Sequence, residues 1–94
     1  MHYVYLLKSK KYNKFYIGCT DDLKKRVAEH NANKSFYTKN KGPWEIRYYE
    51  AFYSQEDAFS REKQLKKWNR AWKLALIEKL NPEWTDLYEA SLQE

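Results

Sequence analysis

Two runs rich in β-forming residues, HYVYLLK (residues 2–8) and KFYIGC (residues 14–19), are separated only by the polar segment SKKYN. That arrangement suits a β-hairpin. Centring the loop between Lys10 and Lys11 predicts Tyr5 directly across from Tyr16, so the two phenols share one face of the sheet. Val4, Leu6, Phe15 and Ile17 then point to the other face as candidate core residues. A tyrosine pair can pack and hydrogen-bond at a half-buried surface, or it can carry chemistry. The hairpin alone allows both.

Directly after the second run, Thr20, Asp21 and Asp22 supply N-cap oxygens and negative charge where a helix from Leu23 to about Asn31 needs them. Arg26 and His30, four residues apart, stand on one face of that helix, with Leu23 and Val27 beside them as core contacts. The helix follows the strand that carries Tyr16, so this face can turn back toward the phenols. Gly18, lacking a Cβ, leaves room there for close approach of backbone or ligand. An arginine can hold phosphate bidentately and a histidine can move a proton. Singly, each is also common as a solvated charge or a satisfied polar group.

Residues 31–43 (NANKSFYTKNKGP) lack any period and read as an exposed basic loop containing Lys34, Lys39 and Lys41. WEIRYYEAF (44–52) alternates as a third strand and completes a small antiparallel sheet. Ser54 caps a second helix reaching to about Trp68, and a third runs from about Arg70 to Leu80, where Asn81-Pro82 stops it. Beyond it, Trp84 and Leu87 are expected to pack before the acidic end frays. On the second helix Ala58, Phe59 and Leu65 mark a buried stripe, and Glu62 lies on that stripe. A carboxylate facing the core needs a cation or donor to meet it. Arg26 or Arg47 could pair with it, or Glu62 could ligate a hard divalent cation whose other positions are filled by water and phosphate oxygen.

At 94 residues the chain is expected to form a single domain, residues 1–94. No apolar run approaches the roughly 20 residues of a membrane span, and no basic-then-apolar leader begins the chain, so a cytoplasmic protein is expected. The lone Cys19 excludes an intramolecular disulfide. Charge is uneven: Met1 to Lys73 holds 17 Lys and Arg against 8 Asp and Glu, whereas Leu74 to Glu94 holds one Lys against five acids. A surface of that sign attracts polyanions and gains from counterion release, which makes nucleic acid the first partner to consider. A lysine-rich surface kept for solubility fits the charge equally well.

Tyr3-Val4-Tyr5, Tyr16-Ile17-Gly18, Arg26, His30 and Glu62, in that order and separation, resemble the GIY-YIG nuclease superfamily. The segments SREKQLKKW and LIEKLNPEWTDL make the chain look more narrowly like its small stand-alone bacterial members, the UPF0213-like group. The first motif departs from the family pattern, with Tyr3 where glycine is usual, and Cys19 stands where some repair-type members have lysine. Any contribution of that lysine must come from elsewhere, such as Lys39, or be missing.

The resemblance implies an α+β sandwich, a three-stranded antiparallel sheet flanked by helices. It also implies a DNA endonuclease, related to DNA repair or processing, with one divalent ion, Mg²⁺ or Mn²⁺, held by Glu62. Tyr16 or Tyr5 would orient or deprotonate the attacking water, Arg26 would bind the scissile phosphate, and His30 would relay a proton or support a tyrosine. Asn81 is a looser match to a polar residue beside the site. Lys24, Lys25, Lys39 and Lys41 are the candidate nucleic-acid contacts. Two alternatives stay open: a nucleic-acid-binding module with little or no catalysis, and a protein-interaction scaffold using the aromatic residues Trp44, Trp68, Trp72 and Trp84.

Overall fold

The computed structural model describes residues 1–34 and 38–87. In chain order it contains β1 (His2–Ser9), β2 (Phe15–Thr20), α1 (Leu23–Asn31), β3 (Trp44–Phe52), α2 (Gln55–Lys66) and α3 (Arg70–Leu80). The expected α+β sandwich forms. The strands make an antiparallel sheet in the order β2-β1-β3, with α1 on one face and α2 and α3 on the other. The expected caps hold α1 and α2, since the side chains of Asp22 and Ser54 accept from the backbone N–H groups of Lys25 and Asp57, and Asn69, which the sequence reading did not single out, caps α3 by accepting from the Trp72 N–H. No helix among the described residues is long and apolar enough to cross a membrane.

The hairpin register differs from the sequence expectation by two residues. Tyr5 pairs with Gly18, and Tyr16 pairs with Leu7. The cause lies in Ser9, whose Oγ accepts from the backbone N–H groups of Lys11 (3.2 Å) and Tyr12 (2.9 Å) and donates to the Lys41 carbonyl (2.5 Å). These bonds extend β1 to Ser9 and move the turn toward Tyr12. A shift of two leaves every side chain on its original face. Tyr5 and Tyr16 therefore still share the α1 face, while Val4, Leu6 and Ile17 are buried on the other with Phe15 packed against them.

Strand β3 departs from simple alternation as well. The register slips between Leu6 and Leu7 of β1, opposite Tyr48 and Ile46, leaving Arg47 as the extra residue. Ile46 consequently packs in the α1-side core and Tyr48 in the α2-side core, although their spacing alone would put them on one face. On that second face the Tyr48 hydroxyl donates to Glu50, and Arg61 of α2 donates through Nε (2.9 Å) and Nη2 (3.0 Å) to the two oxygens of the same carboxylate. The bulge thus supplies the polar tie between α2 and the sheet. On the α1 side, Asn31 closes a reciprocal pair with the backbone of Trp44, accepting from its N–H (2.7 Å) and donating to its carbonyl (3.1 Å).

The outer edge of β3 is covered near Ile46, whose N–H donates to Asp86 Oδ1 (3.1 Å) and whose carbonyl accepts from the Leu87 N–H (2.9 Å). Trp84 and Leu87 pack as expected, one against each core. The fraying expected farther on falls outside the described residues.

Ser9→Ala would leave two backbone donors of the turn without their acceptor and the Lys41 carbonyl without its donor. The variant is expected to lose about 1–3 kcal/mol of stability, read from the shift of a urea unfolding curve.

Candidate active site

Tyr5 sits at the centre of the α1 face, almost fully buried. Its ring lies across β2 at Gly18, where an added Cβ would stand 2.5 Å from Tyr5 Cζ and 3.0 Å from Tyr16 Cε2. The space that the sequence suggested for a ligand is filled by the phenol. Gly18 serves close approach here, of Tyr5 itself.

The face of α1 that carries Arg26 and His30 turns toward this ring. Tyr5 Oη is 2.9 Å from His30 Nε2, and His30 Nδ1 is 2.7 Å from Thr38 Oγ1. In a neutral imidazole one nitrogen donates and the other accepts, so Tyr5 and Thr38 take opposite roles. Tyr16 closes the cluster, its ring centroid 4.7 Å from that of His30 and 6.3 Å from that of Tyr5. Arg26 interacts with both phenols and pairs with Glu29 at 3.6 Å.

Electrostatics separates these groups. Burial, and next the charge of Tyr16, hold Tyr5 well above the ordinary phenol range, with Arg26 pulling the other way. For Tyr5 to deprotonate water as the family resemblance allows, Arg26 would have to favour the phenolate, but burial outweighs it. His30, fully buried, is pushed down to about 4 by burial and then by the positive charge of Arg26. It is a neutral ring at physiological pH. Burial also works against the charge of Arg26, but its interactions with Tyr5 and Tyr16 outweigh that cost and raise it.

Glu62 approaches from the α2 layer. Its charge reaches both Tyr5 and Cys19, and the Cys19 thiol is raised by burial first and by Glu62 second. The carboxylate is half-buried and pairs with Lys66 Nζ at 2.9 Å, where Arg26 or Arg47 had been the expected cation. Arg47 instead pairs with Glu45. The buried stripe on α2 is narrower than expected, with Ala58 and Leu65 inside but Phe59 45 % exposed.

Beside Tyr16 a cleft of about 490 Å³ runs along β2, lined by Tyr16, Trp44 and the lysines Lys14, Lys41, Lys66 and Lys73, among others. Of the lysines proposed from sequence only Lys41 lines it. Lys24 and Lys25 are exposed on α1, and Lys39 is exposed in the following loop. Asn81 also stays outside the cluster. Its amide donates to the Arg47 (3.3 Å) and Thr85 (2.7 Å) carbonyls and accepts from Thr85, which fixes the turn after α3.

The residues that sequence reading missed are Thr38 and the lysines Lys14, Lys66 and Lys73. Thr38 had seemed part of an exposed loop, yet it is fully buried and its carbonyl accepts from Trp44 Nε1. Lys66 was legible in principle, because a lysine four residues after a glutamate on a helix is placed to pair with it. The scaffold alternative loses ground, since Trp44 is core and Trp68 and Trp84 are half-buried, leaving Trp72 exposed.

Comparison with known proteins agrees with this architecture. A profile described as the GIY-YIG catalytic domain matches residues 1–75. The UPF0213 protein SH2523 of Staphylococcus haemolyticus is 42% identical over 78 residues, covering 82% of this chain and 94% of that protein. The UPF0213 protein VNG_2274C of Halobacterium salinarum is 40% identical over 78 residues, covering 82% of this chain and 100% of that protein. Among solved structures, the solution NMR structure of the UPF0213 protein BH0048 from Bacillus halodurans superposes with a TM-score of 0.53 at 35% identity, covering 82% of each chain.

Two outcomes test the geometry of the cluster. Gly18→Ala must displace the Tyr5 ring, and it is expected to destabilise the protein by about 1–3 kcal/mol in chemical denaturation. For His30, the unfolded imidazole takes up a proton near 6.5 but the folded one only near 4, so stability is full above the unfolded value and falls as pH drops through this window. Between pH 7.5 and 5 the loss should be about 2 kcal/mol. His30→Gln should flatten that part of the curve.

Proposed function

This chain belongs to the GIY-YIG catalytic domain family, a family of nucleases, and from that premise we propose that it is a metal-dependent DNA endonuclease that hydrolyses phosphodiester bonds during DNA repair or processing. The observation that carries the reading is convergence. Tyr5, Tyr16, Arg26 and His30 come from two strands and a helix into one cluster, and the charge of Glu62 on α2 acts on Tyr5 from another layer.

Nucleases of this family generally use a divalent metal. Glu62 offers a half-buried carboxylate to such an ion, and one carboxylate with water and phosphate oxygens completing the shell is a common way to bind Mg²⁺. Mg²⁺ or Mn²⁺ at Glu62 would acidify bound water and offset phosphate charge.

The chain's own groups divide the remaining work. Arg26 binds the scissile phosphate and stabilises charge that develops on it. Tyr16, at the wall of the cleft, orients the attacking water. Tyr5 remains a phenol under its burial and keeps the His30 ring in place through their hydrogen bond. His30, neutral and bonded at both ring nitrogens, supports Tyr5 on one side and is itself held by Thr38 on the other. A non-catalytic nucleic-acid-binding module is the second reading, favoured by the Lys66 ion pair that occupies Glu62.

Purified protein is to be assayed on single-stranded, duplex, flapped and branched DNA, and on RNA, with Mg²⁺ or Mn²⁺. Tyr16→Phe, Arg26→Ala and Glu62→Gln are each expected to lower cleavage by about 100-fold or more while DNA still binds. Cleavage unchanged in Tyr16→Phe and Glu62→Gln would refute the assignment, and binding without cleavage in the unaltered protein would select the second reading.

A further inference from the structure

The lysines of the cleft beside Tyr16 come from separate parts of the chain. Lys14 follows the hairpin turn, Lys41 precedes β3, Lys66 ends α2 and Lys73 lies in α3. Ammonium groups gathered around one cleft repel one another, and an anion entering it relieves that repulsion. Glu62 offsets part of the charge through Lys66.

The walls of this cleft are tied together. Arg70, the first residue of α3, donates through Nη1 to the Asn13 carbonyl (3.3 Å) and through Nη2 to Asn13 Oδ1, and its guanidinium lies 4.7 Å from the Phe15 ring centroid. Hairpin and α3 are thereby held in register, with Lys14 on one and Lys73 on the other. Farther along β2 a second hollow, about 280 Å³, is lined by residues that include Cys19, Asp21, Gln55 and Phe59, with no lysine or arginine among them. Of these two hollows along β2, the lysines line the one at the hairpin end.

We propose that the cleft is the track for one unpaired DNA strand, with Lys14 and Lys73 gripping consecutive phosphates on the hairpin side of Tyr16. Its volume is that of a small-molecule pocket, room for a nucleotide or two of a single strand. Phosphates give the affinity, and the aromatic walls at Phe15 and Tyr16 offer π-faces to a base whatever its identity. The class of ligand rests on the nuclease reading, whereas the location and the preference for a single strand do not follow from it.

The test is fluorescence anisotropy in EDTA, with a fluorescein-labelled oligodeoxythymidylate and a duplex of equal length, over a range of salt concentrations. The unaltered protein should bind the single strand more tightly than the duplex. Lys14→Ala combined with Lys73→Ala should weaken single-strand binding by about tenfold and reduce the slope of log affinity against log salt by about 1.4, the value for two phosphate contacts on a single strand. The charge-matched pair Lys63→Ala with Lys79→Ala should change affinity by less than about twofold, and Lys14→Gln and Lys73→Gln, made singly, should each give about half the slope change. Equal losses in both double variants, tighter binding of duplex, or a loss confined to Lys24→Ala with Lys25→Ala would overturn the proposal. Without metal no cleavage enters the measurement, so such a failure leaves the nuclease reading standing. Inactive Tyr16→Phe and Glu62→Gln likewise say nothing about the track.

Discussion

The Tyr5 ring occupies space that any residue other than glycine at position 18 would fill, and the surroundings of the site are arranged around that contact. With the ring laid across β2, its hydroxyl reaches His30 on α1, and His30 reaches Thr38 in the loop before β3. Thr38 in turn accepts from the indole of Trp44, the first residue of β3. One cross-strand fit therefore sets the position of a helix, a loop and the start of a strand. Because these links are buried hydrogen bonds, breaking any one strands a polar partner away from water.

Burial gives the two tyrosines different parts. Tyr5 is enclosed and kept protonated, which suits a group that holds others in place. Tyr16 stands half-buried at the wall of the cleft, where solvent and substrate can meet it. A similar contrast separates the two carboxylates on the α2 side of the sheet. Glu50 is taken up by Arg61 and Tyr48 and ties layers together, whereas Glu62 pairs with Lys66 on its own helix.

Much of this was legible in the sequence because side-chain faces depend on parity and not on exact register. The turn lies one residue farther along than the sequence suggests and the register shifts by two, yet Tyr5 and Tyr16 keep their shared face; a one-residue shift in register would separate them. Caps at Asp22, Ser54 and Asn81-Pro82 were equally local and equally readable. What escaped were features set by contacts distant in the chain. The Ser9 hydroxyl bonds to Lys41, the Arg47 bulge moves Tyr48 to the other core, and Thr38 is buried only because His30 and Trp44 close over it. No periodicity announces a residue whose burial depends on partners elsewhere in the fold.

The strand order β2-β1-β3 leaves the sheet with two unlike margins. The β3 margin is sealed near Ile46 by backbone and side-chain bonds from Asp86 and Leu87. Among the described residues no further strand lies beside the β2 margin, and an open strand edge is what another copy of the chain would need in order to add on and begin a fibril. Lys14, Lys66 and Lys73 stand along that margin. Lysines along an open edge repel their counterparts on a second molecule, so the charges proposed to draw in a polyanion would also disfavour edge-to-edge pairing.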